Sequence, residues 1–206
     1  MQTLSLHFFN NKIINIPVNI ANNIRNELNL IEAVDKPAKL ETAPLPYERD
    51  ALEPVMSKDT IEYHYDSLAK AYAKRYNAGE GDPEFNRGGS LLHNLFFTQL
   101  QPPKRNNRPT GSVLKLIHDK HGSFDELKDK WLDTAMSIQG SGWVYLSRSG
   151  DIKTIKNQAV RKDVLLPLDM WEHSFALDYR ADKKKYVQNF WRIVNWDAIN
   201  IRLNDY

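Results

Sequence analysis

SKDTIEYHYDSLAKAYAKRYNAGEGDPEFNRGGSLLHNLFFTQL, residues 57–100, is the stretch on which the fold turns. Ser57 is placed to N-cap a helix running from about Lys58 to Tyr76. Along it Ile61, Tyr65, Leu68 and Tyr72 recur at spacings of four, three and four, which is one apolar face of an α-helix. His64, Leu68 and Tyr72 then stack one turn apart. NAGEGDP, residues 77–83, breaks the pattern, and a second helix begins near Asn86 and reaches about Leu100. Two long helices joined by a short turn predict an antiparallel hairpin.

Toward the N-terminus, LPYERDALEP (residues 45–54) is an extended, proline-bounded entry to that hairpin. Before it, residues 1–41 form an extension: an apolar patch, a helix expected over Asn19 to Ala33, and a polar connector. No acid precedes Glu27, and Lys12 and Arg25 are the only bases there, which makes a weak transit peptide. Asn10, Asn11 and Lys12 interrupt any secretory core. A cytoplasmic protein is expected, with an organelle as the second choice.

Toward the C-terminus, QPPKRNNRPTG (residues 101–111) is a loop by composition and separates two halves. The divisions expected are an extension over 1–41, a hairpin domain over 42–103 and a C-terminal domain over 104–206. Helical periodicity around Leu114–Lys120 and Ser123–Ile138 is followed by GWVYLSRSGDIKTIKN, two strands turning at Ser149 to Asp151. VLLPLD is a third strand, buried because its apolar run is nearly continuous, and the chain returns to helix from about Lys183 to Leu203. The fold class is therefore α+β: an N-terminal antiparallel helical hairpin, then an α/β half with a small three-stranded antiparallel sheet.

Composition narrows the function. The 206 residues can bury a sizeable core, and 41% hydrophobic with 26% charged residues is ordinary for a globular protein. No apolar run approaches the roughly 20 residues of a membrane span, so no membrane partner is expected. A net charge of +2 and a pI near 8.6 are too mild to argue for nucleic acid. With no cysteine, disulfides, thiolate metal sites and cysteine nucleophiles are excluded, and any metal must use nitrogen and oxygen ligands.

Of six histidines, His64 and His93 fall on apolar-rich helix faces, and His173 lies in LDMWEHSF four residues after Asp169. A lone histidine on such a face is ordinarily a hydrogen-bonded core residue, so spacing alone does not make these ligands. Their contexts add more. EYHYDSLAKAY (62–72), FNRGGSLLHNLFF (85–97), QGSGWVYL (139–146) and LDMWEHSFALDYR (168–180) resemble the successive signatures of the iron/manganese superoxide dismutases. LPYERDAL (45–52) resembles that family's entry and YVQNFWRIVNWDAINIRL (186–203) its C-terminal helices, so the resemblance covers about residues 42–206 in order.

The resemblance implies one metal ion per subunit, manganese by preference or iron, held by His64, His93, Asp169 and His173 together with one solvent molecule. Three neutral imidazoles and a carboxylate suit a borderline metal, and the same set would suit zinc; the resemblance selects a redox metal. It implies superoxide as substrate, converted to oxygen and hydrogen peroxide by a metal alternating between trivalent and divalent states. In this family the glutamine that hydrogen-bonds the solvent comes either from the helix before the second histidine or from the strand region before the aspartate. Here Gly89 stands four residues before His93 and Gln158 lies ahead of Asp169, the manganese-type arrangement.

Tyr72 falls at the family's gateway tyrosine, Trp143 and Trp171 at aromatic positions enclosing the metal, and Glu172 at the residue that reaches across a two-fold interface. A homodimer is implied. His7, His118 and His121 match no ligand position and read as surface residues.

The departures matter equally. The family's gateway histidine is Leu68, the adjacent lysine is Ser67, and a tyrosine expected three residues after the last ligand is Ala176. In the family that histidine and tyrosine pair across the interface, so both halves of one hydrogen bond are absent together, which costs less than losing one. The competing reading is a metal-binding protein of this fold with weak or no turnover and a structural or partner-binding role. Zinc-dependent hydrolysis is disfavoured because no spare glutamate is placed as a general base. Lys183, Lys184 and Lys185, with Lys70, Lys74 and Arg75, could guide an anion to the site or be a solvated face.

Overall fold

The computed structural model describes residues 39–205. The helix expected over Asn19 to Ala33, and His7, lie outside the described residues. The first long helix runs as α1 (Lys58–Ile61), a π-helical stretch (Glu62–Ala69) and α2 (Lys70–Ala78). Ser57 caps it as its sequence position predicts, its Oγ accepting from the Thr60 amide at 3.2 Å. Gly79 closes it in the left-handed conformation, φ 68°, which a residue without Cβ adopts freely.

The π-helical stretch was not expected from the sequence. Its wider turn moves the buried positions to Ile61, His64, Tyr65, Ala69 and Tyr72, and leaves Leu68 half-buried. The second helix, α3 (Pro83–Thr98), begins three residues before the predicted Asn86. Asp82 caps it, accepting from the Phe85 amide at 2.7 Å, and Pro83 takes the first helical position, where its missing N–H costs nothing. From Ser90 to Thr98 every residue of α3 is buried, because it packs against the first helix on one side and the sheet on the other.

The C-terminal half opens with α4 (Gly111–His121) and α5 (Phe124–Met136). The three strands are β1 (Gly142–Ser147), β2 (Ile152–Lys156) and β3 (Val164–Asp169), antiparallel in the order β2-β1-β3. β1 and β3 are buried throughout, whereas β2 is the edge and buries Ile155 alone. The register sets Trp143 opposite both Asp169 on β3 and Ile155 on β2. After a short 3-10 turn (Glu172–Ser174) and α6 (Ala176–Tyr179), α7 (Lys183–Phe190) and α8 (Trp196–Asn204) complete the chain.

His118 is exposed, as a surface residue should be. His121 is not merely superficial: its Nε2 meets the Gly150 carbonyl at 2.7 Å and ties the end of α4 to the β1–β2 turn. One apolar core joins the halves, with Tyr65, Leu95 and Phe96 of the hairpin in the same cluster as Trp143, Leu166 and Phe190 of the second half.

Candidate metal centre

The π-helical stretch carries His64, α3 carries His93, Asp169 ends β3, and His173 sits in the 3-10 turn. Elements far apart in sequence thus converge on one point. One ligand atom from each of the four residues lies within 4.8 Å of all the others. The imidazole Nε2 atoms of His64, His93 and His173 stand 3.2, 3.6 and 3.3 Å from the same carboxylate oxygen, Asp169 Oδ2.

All four of these atoms are buried and make no hydrogen bond. Buried polar atoms almost always find partners, so four orphans facing one another mark a position for something that accepts their lone pairs. Other atoms of the same side chains are fixed. His93 Nδ1 meets the Gly89 carbonyl at 2.6 Å and donates to it, which leaves the Nε2 lone pair free to face the cluster. Asp169 Oδ1 accepts from the Trp171 amide at 2.8 Å, turning Oδ2 inward. The Tyr186 hydroxyl donates to the Asp169 backbone carbonyl at 2.9 Å.

Protonation follows from the surroundings. Burial, with the neighbouring His64, holds His93 down to about 3, and burial lowers His64 against the opposing pull of Asp169. For Asp169 burial alone would raise the carboxyl, but His173 and His64 outweigh it and keep it below the usual range. Burial that disfavours protonation of His64 and His93, beside a carboxyl held in its ionised form, suits the cluster to a metal ion, whose ligands must be deprotonated. The donor set therefore fits a divalent or trivalent cation bound by nitrogen and oxygen.

Around the cluster the wall is aromatic. The Trp143 ring meets His93 edge-on at 5.1 Å, Phe97 meets His64 at 4.9 Å, and Trp171 stacks on His173 at 5.7 Å. Phe85 stands between Tyr72 and Trp171, with ring centroids 5.9 and 6.3 Å away.

A polar chain leads out from this wall. Trp143 Nε1 donates to Gln158 Oε1 at 3.1 Å, and Gln158 Nε2 donates to the Tyr72 hydroxyl at 3.3 Å. Gln158 is fully buried, and burial raises the Tyr72 phenol above its ordinary value, so the phenol keeps its proton at neutral pH. Gly89 is where it must be: a Cβ there would come within 2.6 Å of the Tyr72 ring. Gly88, which the sequence reading passed over, lets α3 approach the 157–160 loop so closely that a Cβ would run into the Gln158 carbonyl. The paired glycines of FNRGG were its signal. Phe97 and Tyr186 were missed as well, since nothing in their spacing separates them from core aromatics. Glu172, Ser67 and Ala176 are exposed.

A buried constellation of three imidazoles and one carboxylate, walled by aromatics and placed between a helical hairpin and an α/β half, is a group that could hold a metal ion. Two family profiles match: "Iron/manganese superoxide dismutases, alpha-hairpin domain" over residues 39–84, and "Iron/manganese superoxide dismutases, C-terminal domain" over 109–202. The chain is 33% identical over 200 aligned positions to "Superoxide dismutase [Fe]" of Saccharolobus solfataricus, covering 82% of this chain and 95% of that one. It is 33% identical over 188 positions to "Superoxide dismutase [Mn/Fe]" of Porphyromonas gingivalis, covering 79% and 98%. Against "Superoxide dismutase [Fe] 2, chloroplastic" of Oryza sativa subsp. japonica it is 33% identical over 190 positions, covering 77% and 74%. The chain belongs to the iron/manganese superoxide dismutase family, whose members are metal-dependent oxidoreductases.

Proposed function

We propose that this chain dismutates superoxide to oxygen and hydrogen peroxide at a site formed by His64, His93, Asp169 and His173. The observation that carries the reading is the set of four buried, unpartnered ligand atoms within 4.8 Å of one another, in a chain of this family. The ion held there would supply one-electron redox chemistry, taking an electron from one superoxide and giving it to the next. The chain's own residues do the rest. Asp169 contributes the one negative charge, oriented by the Trp171 amide. The aromatic wall excludes water and strengthens each charge interaction inside.

Gln158 acts as a positioning residue. With Oε1 committed to Trp143 and one Nε2 hydrogen directed to Tyr72, its carboxamide is held in a single orientation. Tyr72, protonated at neutral pH, is a candidate proton donor at the mouth of the site.

The metal is read as manganese first and iron second. The Gly89 position has no room for a glutamine, because the Tyr72 ring occupies it, and the amide comes from Gln158 instead. A homodimer through the exposed Glu172 is part of the same reading; a concentration-independent monomer in sedimentation would remove that role. The hairpin and C-terminal domains are read as 42–103 and 104–206, with 1–41 as an extension. Among the described residues no helix is long and apolar enough to cross a membrane. Localisation is read as cytoplasmic, with an organelle as the alternative.

The test is dismutation by protein reconstituted in parallel with manganese and with iron, normalised to bound metal. Rapid turnover with manganese alone supports the Gly89 and Gln158 assignment, and comparable rates mean use of both metals. Near-inert protein in both forms would favour the second reading, a metal-binding relative whose gateway, with Leu68 half-buried and Ala176 exposed, no longer supports turnover.

A further inference from the structure

A second polar site lies elsewhere in the C-terminal half. A cavity of about 270 Å³ opens between the loop after α3, the start of α5 and the end of α7, and it shares no residue with the metal centre. Four cations line it, Arg105, Arg108, Lys128 and Arg192, and no carboxylate does. Asn106 and Gln188 add exposed carboxamides to the rim. Phe124 and Trp191, in edge-to-face contact at 5.3 Å, form its apolar floor.

The loop that brings these cations together is pinned. Lys104 N donates to the Arg192 carbonyl at 2.9 Å, and Asn107 Nδ2 donates to the carbonyls of Trp191 and Val194 at 2.8 and 2.7 Å. These bonds fix the backbone of the Arg105–Arg108 segment against the end of α7. Asp125, just outside the cavity, neutralises part of the charge: it lies 2.6 Å from Lys128 and 3.7 Å from Arg108. Arg105 and Arg192 have no carboxylate partner among the ion pairs of the described residues, and Arg192 Nη1 donates only a long bond, 3.5 Å, to Asn189 Oδ1. Guanidinium groups match phosphate oxygens in pairs, and a cavity this size is at the small end of ligand sites.

The structure assigns this cavity as a binding site for a small phosphate-bearing anion, held by Arg105, Arg192 and Arg108 with the carboxamides of Asn106 and Gln188 supplying further donors. The site is independent of the metal reading. Neither its cations nor its pinned loop takes part in the ligand set.

The probe is inorganic pyrophosphate, titrated calorimetrically into the metal-loaded full chain at about 0.1 M salt, where charges more than about 10 Å from the ligand are largely screened. One site per chain is expected. Arg105→Gln with Arg192→Gln should weaken it roughly tenfold or more, the scale of losing charge-assisted bonds. Lys58→Gln with Lys162→Gln removes equal charge from exposed positions elsewhere and should leave binding unchanged. Asp125→Asn should tighten it several-fold, because Lys128 and Arg108 are then released to the ligand. Bound metal is measured throughout, so that chelation is told apart from binding at the cavity. Absence of binding, equal weakening by the two double variants, or no response to Asp125→Asn would overturn the assignment.

Discussion

The Gln158 side-chain amide donates to the Tyr72 hydroxyl across the 86 residues that separate them, at 3.3 Å and out of contact with solvent. That bond joins the helical hairpin to the loop before β3 beside the four candidate ligands. Because the Trp143 indole holds the other end of the same amide, neither half can rotate independently.

Gln158→Ala should therefore leave the ligands in place but change the environment in which the metal is tuned. Metal occupancy is expected to be retained, while the redox potential and the dismutation rate shift. Stability should fall by roughly 1–3 kcal/mol, since Trp143 Nε1 and the Tyr72 hydroxyl lose buried partners. Potentiometric titration of the manganese-loaded variant decides the matter: an unchanged potential contradicts the positioning role.

Gly89→Ala tests why α3 can pass so close to Tyr72. An added Cβ lies 2.6 Å from Tyr72 Cγ and Cδ1, inside van der Waals contact, so ring or helix must shift. Overpacking of this kind costs about 1–3 kcal/mol. In a double-mutant cycle with Tyr72→Ala, denaturant unfolding should show the pair destabilised by less than the sum of the singles, because the clash has only one other participant. Additive losses would place the strain elsewhere.

Asp163 makes a pH-dependent clasp across the sheet. It accepts from Tyr145 of β1 at 3.1 Å and pairs with Lys153 of β2 at 2.7 Å. Burial would raise its carboxyl, but Lys153 and Tyr145 outweigh that and hold it below its ordinary 3.8. A depressed folded value means the contribution is complete above about pH 4 and is lost as pH falls through the folded value. With the carboxylate 38% exposed, the clasp is worth no more than about 1 kcal/mol. Asp163→Asn should lower stability by that amount at pH 7, and the difference should close on acidification; a difference that grows in acid would refute the clasp.

Much of this architecture was legible because each signal was local. Ser149 to Asp151 turns the first two strands, the nearly continuous apolar run VLLPLD reads as a buried strand, and Ser57 caps its helix. The π-helical stretch was illegible for a physical reason: Ile61, Tyr65, Leu68 and Tyr72 satisfy a 3.6-residue period perfectly well. The wider turn is packed against α3 and the 3-10 turn, contacts distant in sequence, and it buries Ala69 in place of Leu68. Gathering the four candidate ligand side chains from spacing alone was likewise impossible, since His64 and His93 lie in one half of the fold and Asp169 and His173 in the other. Only the sequence surrounding each residue suggested the set. Gly88 shows the opposite case, a residue with a legible glycine pair whose role depends on a backbone 70 positions away.

Asp169→Ala addresses the centre itself. The Oδ2 atom is the one anionic oxygen facing three imidazole nitrogens, and it makes no hydrogen bond of its own. Removing it takes away a candidate ligand and, among the described residues, the one carboxylate of the cluster, so metal occupancy after dialysis should fall at least about tenfold. The fold should survive with a loss of roughly 1–3 kcal/mol, because the Trp171 amide loses its buried acceptor. A ligand that binds only the native state stabilises it in proportion to the logarithm of its concentration over Kd. Wild-type Tm should accordingly rise as manganese or iron is added, and the variant's should not. Full occupancy together with a metal-dependent Tm in Asp169→Ala would show that the ion sits elsewhere, and the four orphaned atoms would need another explanation.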